Sequence, residues 1–472
     1  MKLPITLGGL ALGTAAVFIG HMNSDAIAAR SNGGGETAPD VIVGDLHEIM
    51  RHGQVNGITA YSVGTNSCNI GNDYLTWEPN NNQHPTIGGS IYRILTLESG
   101  CTKIEQIGRS WLKHGFCALQ QTLCGSCSNS AGGGCPSRLG WNCSDPYSAS
   151  LNGQQSNLGP REEVNPTTGY FEYPPGGGSY AATIGRRLQV PTDLLQAENA
   201  SFLADGIYIH PEDAAACNGN NNASYRRLNK SGTNTLTFGG NQTVRMSPAI
   251  FAWEAEDPNV RITTIDISDC NERIHYGQSV CENADGSWTY VYSVYNLNLH
   301  SAVGGISMPF SGDAVPSDAE ANLCPYHSGE VYADPTSQWD TTVDSGTLSF
   351  MCESYASNPD ATAIMWQSLG TFSFTTDSAP TEGFVDIHLH KTGAIEQVAT
   401  LVPGIPVNPP TPCEIADLND DGLVDGTDLS LVLGFWTDDC GGGCIGDVND
   451  DNKVDGADLS YILGFWNCED EG

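Results

Sequence analysis

Residues 288–299 read WTYVYSVYNLNL, and the first half of this stretch alternates aromatic side chains with smaller ones. Trp288, Tyr290 and Tyr292 fall at every second position. Because successive side chains of an extended chain point to opposite faces, a period of two residues is typical of a β-strand. This stretch therefore predicts a β-strand.

The rest of the chain before residue 402 has a similar character. Clusters of Gly, Asn, Ser and Thr interrupt short apolar runs, which is typical of strands joined by turns. Residues 363–374 and 384–389 predict two further strands. We expect a mostly β protein, with a β-rich, cysteine-containing region over residues 30–270 and a β-sandwich-like domain over residues 271–401.

One patch in the first region suggests a helix instead. Ile104, Ile107 and Trp111 fall at i, i+3 and i+7, which would place them on one helical face.

The N-terminus and the cysteines indicate export. Lys2 precedes an apolar stretch and then small residues at 26–28, the layout of a signal peptide over residues 1–28, with an uncleaved membrane anchor as the alternative. All 16 cysteines follow it. An even number of cysteines is expected to pair in an oxidising compartment. The sequence predicts a disulfide-bonded protein that is extracellular or at the cell surface.

The net charge of the chain limits the classes of partner that it is expected to bind. Its 55 acidic and 19 basic residues give a net charge of −36; sixteen of the acids and one base lie in residues 413–472, which therefore carry −15 and leave −21 for the rest. Binding nucleic acid or an anionic membrane needs a basic face. We expect no nucleic acid partner, and cations, neutral polymers or basic proteins are favoured.

A proline-rich spacer and a repeat follow the β-rich regions. Residues 402–412, VPGIPVNPPTP, predict an extended linker of about 34 Å at roughly 3.1 Å per residue. Beyond it, DLNDDGLVDGTDLSLVLGFW at 417–436 recurs as DVNDDNKVDGADLSYILGFW at 447–466. Self-similarity at a fixed period indicates a duplicated structural unit.

Each repeat matches a calcium-binding loop of twelve residues. Calcium takes six to eight hard oxygen ligands, which alternate residues of a tight loop can supply. Gly422 provides the sharp turn of the first loop, whereas Asn452 replaces glycine in the second and predicts weaker binding. The expected ligands of two Ca²⁺ ions are Asp417, Asn419, Asp421, the carbonyl of Leu423, Asp425 and Asp428 in the first loop, and Asp447, Asn449, Asp451, the carbonyl of Lys453, Asp455 and Asp458 in the second.

A short amphipathic helix is predicted after each loop, and the apolar stripes of the two helices are expected to pack together. These stripes comprise Leu429, Val432, Leu433 and Trp436 in the first helix and Leu459, Ile462, Leu463 and Trp466 in the second. Cysteines flank both units, and the symmetric pairing joins Cys413 to Cys440 and Cys444 to Cys468. Each bond would stabilise the fold by roughly 3 to 4 kcal/mol.

The duplicated loop and helix, with Asp at loop position 12, resembles dockerin, a module that bacterial cellulosome-type enzymes use to bind cohesins. The resemblance covers about one eighth of the chain. It implies that calcium folds the module and that loop positions 10 and 11 contact a cohesin-like partner. Those positions are Gly426, Thr427, Gly456 and Ala457. The region before residue 402 resembles secreted bacterial proteins of unassigned activity, which implies no reaction.

Three motifs upstream resemble metal-binding patterns. HEIMRH at 47–52 is one residue longer than the zinc-protease motif HExxH, so on a helix its two imidazoles would lie about 140° apart and could not share one zinc. His388 and His390 share one face of a predicted strand with Asp386, as a metal pair or simply as a solvated face. Cys124 and Cys127 form a CxxC, which favours structural disulfides over a zinc ribbon.

No catalytic residue can be ranked from the sequence. Glycoside hydrolysis needs two facing carboxylates, and 39 acids precede Glu414. Aromatic side chains could instead form a sugar-stacking platform. The tryptophans available for it are Trp77, Trp111, Trp141, Trp253, Trp288, Trp339 and Trp366.

These features lead to two functional hypotheses. In the first, the calcium module docks or anchors an extracellular β-rich region that binds or degrades polysaccharide, as a hydrolase of O-glycosyl bonds if it is an enzyme. In the second, the chain is a structural or adhesive cell-surface protein without catalysis. The association of dockerin-type modules with polysaccharide-degrading enzymes favours the first.

Overall fold

The computed structural model describes residues 37–115, 117–311, 315–316, 318–325, 327–328, 330, 339–404, 412–419, 421–437, 444–449 and 453–468. The predicted signal peptide and most of the predicted linker lie outside these ranges.

The described residues are mostly in β-strands. The strands are β1 (Val41–Val55), β2 (Ile58–Asn69), β3 (Leu75–Thr76), β4 (Thr86–Thr96), β5 (Thr102–Arg109), β6 (Leu112–His114), β7 (Arg138–Leu139), β8 (Ser144–Tyr147), β9 (Leu158–Gly159), β10 (Leu188–Pro191), β11 (Ala200–Ile209), β12 (Ala223–Ser231), β13 (Thr235–Thr237), β14 (Thr243–Val244), β15 (Arg261–Asp266), β16 (Arg273–Glu282), β17 (Trp288–Asn296), β18 (Val303–Pro309), β19 (Glu320–Asn322), β20 (Asp340–Asp344), β21 (Thr347–Met351), β22 (Ser368–Thr376), β23 (Pro380–Leu389) and β24 (Ile395–Pro403). The α-helices are α1 (Ala149–Asn152), α2 (Pro211–Ala215), α3 (Ile250–Glu256), α4 (Pro412–Ala416), α5 (Gly426–Gly434) and α6 (Gly456–Gly464).

The first part of the chain forms a curved sheet that nearly closes into a barrel, here called the barrel unit (β1–β14). Its main path runs β1-β2-β10-β5-β4-β11-β12-β13, with β6, β8, β9 and β14 attached at its sides. Side chains bridge the two ends of this path, since Ser224 Oγ on β12 donates to the carbonyl of Val43 and Arg226 donates to the carbonyl of Leu46 on β1. Strands near the two ends of the sheet therefore lie next to each other.

The second part forms two five-stranded sheets, here called the two-sheet unit (β15–β24). One sheet has the order β15-β16-β17-β22-β19 and the other β20-β21-β18-β23-β24. Both sheets contribute to one hydrophobic core, with Tyr290, Tyr292 and Phe374 from the first and Ile306 and Ile387 from the second. Burial of these faces against each other stabilises the unit.

The alternating stretch that opens the sequence argument forms β17, so the predicted strand is confirmed. Its even-numbered aromatics Tyr290 and Tyr292 face the core of the two-sheet unit. The odd-numbered Val291 and Tyr295 instead pack against residues of the barrel unit. Both faces of this strand are therefore buried.

The helix predicted around residue 104 is wrong, because Ile104 and Ile107 lie on β5. Their separation of three residues sends the two side chains to opposite faces of a strand. Ile107 packs in the core of the barrel unit, and Ile104 packs in the cluster between the two units. A strand buried on both faces carries apolar residues at spacings that imitate a helix.

Six disulfides are present among the described residues. They join Cys68 to Cys124, Cys101 to Cys281, Cys117 to Cys135, Cys127 to Cys143, Cys217 to Cys270 and Cys413 to Cys468. This density of disulfides is compatible with an extracellular protein. The bond between Cys101 and Cys281 ties the barrel unit to the two-sheet unit. Among the described residues, no helix is both long enough and apolar enough to cross a membrane.

The end of the chain forms a small separate cluster of helices α4, α5 and α6, here called the C-terminal unit. Its core consists of Ala416, Val424, Val432, Val454 and Ile462, all fully buried.

Candidate functional site

The first loop of the C-terminal unit folds around two inward carboxylates. Asp417 accepts hydrogen bonds from the backbone N–H groups of Asp421, at 3.2 Å, and Gly422, at 2.7 Å. Asp428, fully buried, accepts from the N–H groups of Leu418 at 2.8 Å and of Asp425 at 2.8 Å. Gly422 has φ +84°, a conformation that costs glycine nothing. The start and the end of the loop are thus held together by carboxylates.

The second loop repeats this arrangement thirty residues later. Asp458 is fully buried and accepts from the N–H groups of Val448 at 3.0 Å and of Asp455 at 2.8 Å. Asp455 caps helix α6 with the same backbone angles, φ −139° and ψ −158°, that Asp425 has at the start of α5. Two segments of different sequence therefore adopt one local structure.

Both helices begin with a capping box. The side chain of Asp425 accepts from the N–H of Thr427, and that of Asp455 accepts from the N–H of Ala457, each at 2.7 Å. The N–H of Thr427 lowers the pKa of Asp425. Side chains that accept from the first free N–H groups of a helix typically stabilise it by about 1 kcal/mol. Helices of nine residues need such caps, since short helices are marginal alone.

In the C-terminal unit, the loop of each half forms backbone hydrogen bonds to the segment that follows the helix of the other half. Val424 in the first loop is hydrogen-bonded on both sides to the segment after α6, through Asn467 and Cys468. Val454 in the second loop pairs in the same way with Thr437, after α5. Thr437 and Asn467 are equivalent positions of the repeat, so the unit has an approximate internal two-fold symmetry.

The predicted packing of the helix stripes is wrong for half of their residues. Val432 and Ile462 are buried, as expected, but Leu433, Trp436, Leu463 and Trp466 are between 40% and 54% exposed. Trp436 and Trp466 follow the ends of α5 and α6, so they do not belong to the packed faces of these helices. Phe435, next to Trp436, is also exposed. The unit therefore presents the same apolar side chains twice on its surface.

The predicted cysteine pairing is also wrong, because Cys413 is bonded to Cys468. This bond joins the two ends of the C-terminal unit and so cannot be deduced from local symmetry. Cys444 is disulfide-bonded as well. Cys440 lies outside the described residues.

The predicted calcium ligands are described for only part of the second loop. Asp447 and Asn449 lie at its start, and the backbone of Lys453 precedes the buried Val454. Asp451, together with Asn452, lies outside the described residues. In the first loop, Asn419 donates to Asp421 at 2.8 Å, and Asp421 accepts from the N–H of Leu423 at 3.1 Å. Thr427 and Ala457, predicted to contact a partner, are exposed at the starts of their helices.

The upstream candidates do not assemble into one site. His47, Glu48 and His52 lie on strand β1; Glu48 accepts from the N–H of Ala149, and His52 is hydrogen-bonded to Ser62 at 2.7 Å. The two cysteines of the CxxC motif form disulfides with other cysteines, so both serve structure and neither is a zinc ligand.

His388 and His390 contact different partners. His388 is hydrogen-bonded to Ser307 on β18 at 2.8 Å. His390 follows the end of β23 and turns toward Cys352, with its Nδ1 3.6 Å from the sulfur. No sequence motif predicts this contact, because the two residues are 38 positions apart.

The tryptophans proposed as a sugar platform are largely core residues. Trp77, Trp111, Trp253 and Trp366 are buried. Before residue 402, the exposed aromatic side chains among the described residues are Tyr170, Tyr173, Tyr180, Tyr355 and Phe384. The first three lie in one loop before β10. Sequence reasoning missed them, although the stretch GYFEYPPGGGSY carries its aromatics among turn residues.

Comparisons with known proteins leave the family open. No protein-family model matches the chain, and no curated protein matches it. An exo-chitosanase of Amycolatopsis orientalis aligns at 11% identity over 71% of this chain and 25% of its own, with a TM-score of 0.16. The serine-rich repeat adhesion glycoprotein of Streptococcus agalactiae aligns at 8% identity over 72% of this chain and 88% of its own, with a TM-score of 0.18. The chain thus spans about a quarter of the exo-chitosanase, and TM-scores this low carry no argument.

The dockerin resemblance is corrected by these findings. No family model supports it. Within the described ranges, moreover, no three side chains of His, Cys, Asp or Glu lie together in a way that could hold a metal ion. The inward carboxylates of the loops bind backbone N–H groups instead. Fold and site together define a mostly β, disulfide-bonded protein that ends in a small duplicated unit with an exposed apolar surface.

Proposed function

We propose that the C-terminal unit anchors the extracellular β-rich part of the chain to a cell-surface protein. The observation that supports this most is the duplicated exposed surface formed by Leu433, Phe435 and Trp436 in one half and by Leu463 and Trp466 in the other. Exposed tryptophans are costly in water and are enriched at the energetic centres of protein interfaces. Their repetition at equivalent positions gives the partner two similar points of attachment.

The charge of the segment specifies the partner's chemistry. Residues 413–472 carry −15, so the apolar residues stand in a strongly acidic surrounding. A surface that binds here needs apolar pockets for the tryptophans and a basic rim that complements the acids. Part of the affinity should therefore be lost at high salt.

The proposal predicts that removing both tryptophans abolishes anchoring. The double variant Trp436→Ala, Trp466→Ala of the full chain should lose at least about tenfold in retention on intact cells of the species that encodes it. Tryptophans that become buried on binding are the usual energetic centres of such contacts. Labelled protein is incubated with the cells, washed and counted. Phe384→Ala, which removes an equally exposed aromatic from β23, is the matched control.

Retention that survives in the tryptophan variant, or that falls equally in the Phe384 variant, contradicts the proposal. Loss of retention in the presence of soluble polysaccharide would indicate that the β-rich part, and not the C-terminal unit, binds the cells. The exposed tyrosines Tyr170, Tyr173 and Tyr180 favour that runner-up, since aromatic rings stack on sugar faces.

We further propose that each loop of the C-terminal unit binds one Ca²⁺ ion. The donor set is suited to this ion, because Asp417, Asn419 and Asp421 offer hard oxygens at alternate positions. Gly422 supplies the turn that such a loop requires at its sixth position. Binding would draw carboxylate oxygens of the loop away from the N–H groups that they contact in the structure.

A calorimetric titration of the chelator-treated full chain with Ca²⁺ tests this. We expect about two equivalents, and about one in the variant Asp421→Ala, which removes an exposed ligand of the first loop and leaves the buried Asp428 in place. Glu382→Ala, an exposed acid on β23, serves as the control and should keep both sites. The absence of calcium uptake, or equal stoichiometry in all three proteins, would refute the calcium proposal while leaving the anchoring proposal intact.

A further inference from the structure

Cys352 and His390 meet at one end of the two-sheet unit. Among the described cysteines, Cys352 and Cys324 are outside disulfides. The N–H of Cys352 donates to the carbonyl of Gly304 at 2.9 Å, and the N–H of His390 donates to the carbonyl of Ala302 at 3.0 Å. The backbone thus fixes both residues beside the start of β18, with Cys352 8% and His390 9% exposed.

The distance between their donor atoms is that of two ligands of one metal ion. Cys352 Sγ and His390 Nδ1 are 3.6 Å apart. For comparison, zinc bonds of about 2.3 Å to sulfur and about 2.05 Å to nitrogen at a tetrahedral angle hold these two atoms about 3.6 Å apart. An ion can therefore fit between the two atoms with little movement of either.

The surroundings favour a soft ion. Met365 packs against the small apolar cluster that contains Cys352, Ala361 and Ala363, which brings a thioether to the same region. Thiolate, thioether and imidazole in an apolar setting select Cu⁺ over hard cations.

We propose that Cys352 and His390, with Met365 alongside, bind a single soft monovalent metal ion of the Cu⁺ class. Without a metal the Cys352 thiol carries its proton at neutral pH, since the ordinary pKa of a cysteine is about 8.5. Binding exchanges that proton for the ion and transfers no electron. The Tyr355 ring lies edge-on to the His390 ring, with 5.5 Å between the centroids, and Tyr355 is itself exposed.

The test titrates the full oxidised chain with Cu⁺, kept reduced by ascorbate, against a chromophoric Cu⁺ chelator in a weakly buffered solution. The protein should take about one ion and release about one proton at neutral pH. Cys352→Ser should lose both signals, and His390→Gln should weaken binding at least about tenfold. Cys324→Ser, which removes the other unpaired thiol, and His388→Gln, which removes the neighbouring imidazole, should bind like the original chain.

Three results would overturn the proposal. One is Cu⁺ uptake that Cys352→Ser leaves unchanged, and another is a loss of binding that Cys324→Ser reproduces. The third is alkylation mapping that finds no free thiol at Cys352 in the oxidised protein. His390→Gln keeps the test decisive if the cysteine variant does not fold, since its melting temperature can be checked separately.

Discussion

Replacing Glu330 by alanine is expected to destabilise the protein by about 3 to 5 kcal/mol, because it removes a buried carboxylate that accepts hydrogen bonds from the buried guanidinium of Arg109. The Glu330 side chain is 0% exposed and accepts from Arg109 Nε at 3.0 Å. The same guanidinium donates to Ser368 at 2.8 Å. These contacts join β5 of the barrel unit to two segments of the two-sheet unit, so the variant should also loosen the junction between them.

A nearby glutamate provides the control. Glu320 also reaches from the two-sheet unit to the barrel unit, where it meets Lys103 at 3.2 Å, but its side chain is 53% exposed. Glu320→Ala should cost under about 1 kcal/mol, since Glu320 is itself half exposed and the Lys103 that remains keeps its ion pair with Glu105 at 2.7 Å. Denaturant unfolding of both variants measures the difference, and equal losses would show that burial of the Arg109 pair has no special weight.

Opening the bond between Cys413 and Cys468 is expected to unfold the C-terminal unit. The bond closes a separation of 55 residues, for which the chain-entropy model gives about 4 kcal/mol. The unit has a core of only a few fully buried side chains, so a loss of this size should exceed its stability. Hydrogen exchange of the amides in α5 and α6 of Cys413→Ala, Cys468→Ala should show lost protection.

The bond between Cys217 and Cys270 is a control of nearly equal loop length, with a separation of 53 residues. Its removal should cost a similar free energy on the same model, yet the large cores around it should keep the fold. Protection of α5 and α6 that persists without the bond at Cys413 would mean that the two repeats hold each other without covalent help.

The features that were predicted correctly depend on residues that are close together in the sequence. The alternation at Trp288 to Asn296 marks a strand because the two faces of β17 meet different neighbours. The repeat likewise marks two loops with identical caps, because Asp425 and Asp455 bind N–H groups only two residues away. Contacts between residues so close in the sequence can be predicted from the sequence pattern.

Contacts between distant residues escaped prediction. The nearly closed barrel depends on bonds such as that from Ser224 to Val43, 181 residues apart. Cys413 pairs with Cys468 across the two halves of the C-terminal unit, whereas the symmetry of the repeat suggests pairing within each half. The exposure of Trp436 depends on where α5 ends relative to its partner helix, and an apolar pattern alone does not reveal whether a face is covered.

The hydrogen bonds between Val424 and the segment at Asn467 have a consequence for the order in which the chain folds during synthesis. The first loop of the C-terminal unit is completed by residues that lie more than forty positions later. During synthesis from the N-terminus, the β-rich part can therefore fold before residues 467 and 468 appear, whereas the first loop cannot be completed until then. If the C-terminal unit anchors the chain as proposed, a product truncated before Asn467 is expected to lack a working anchor.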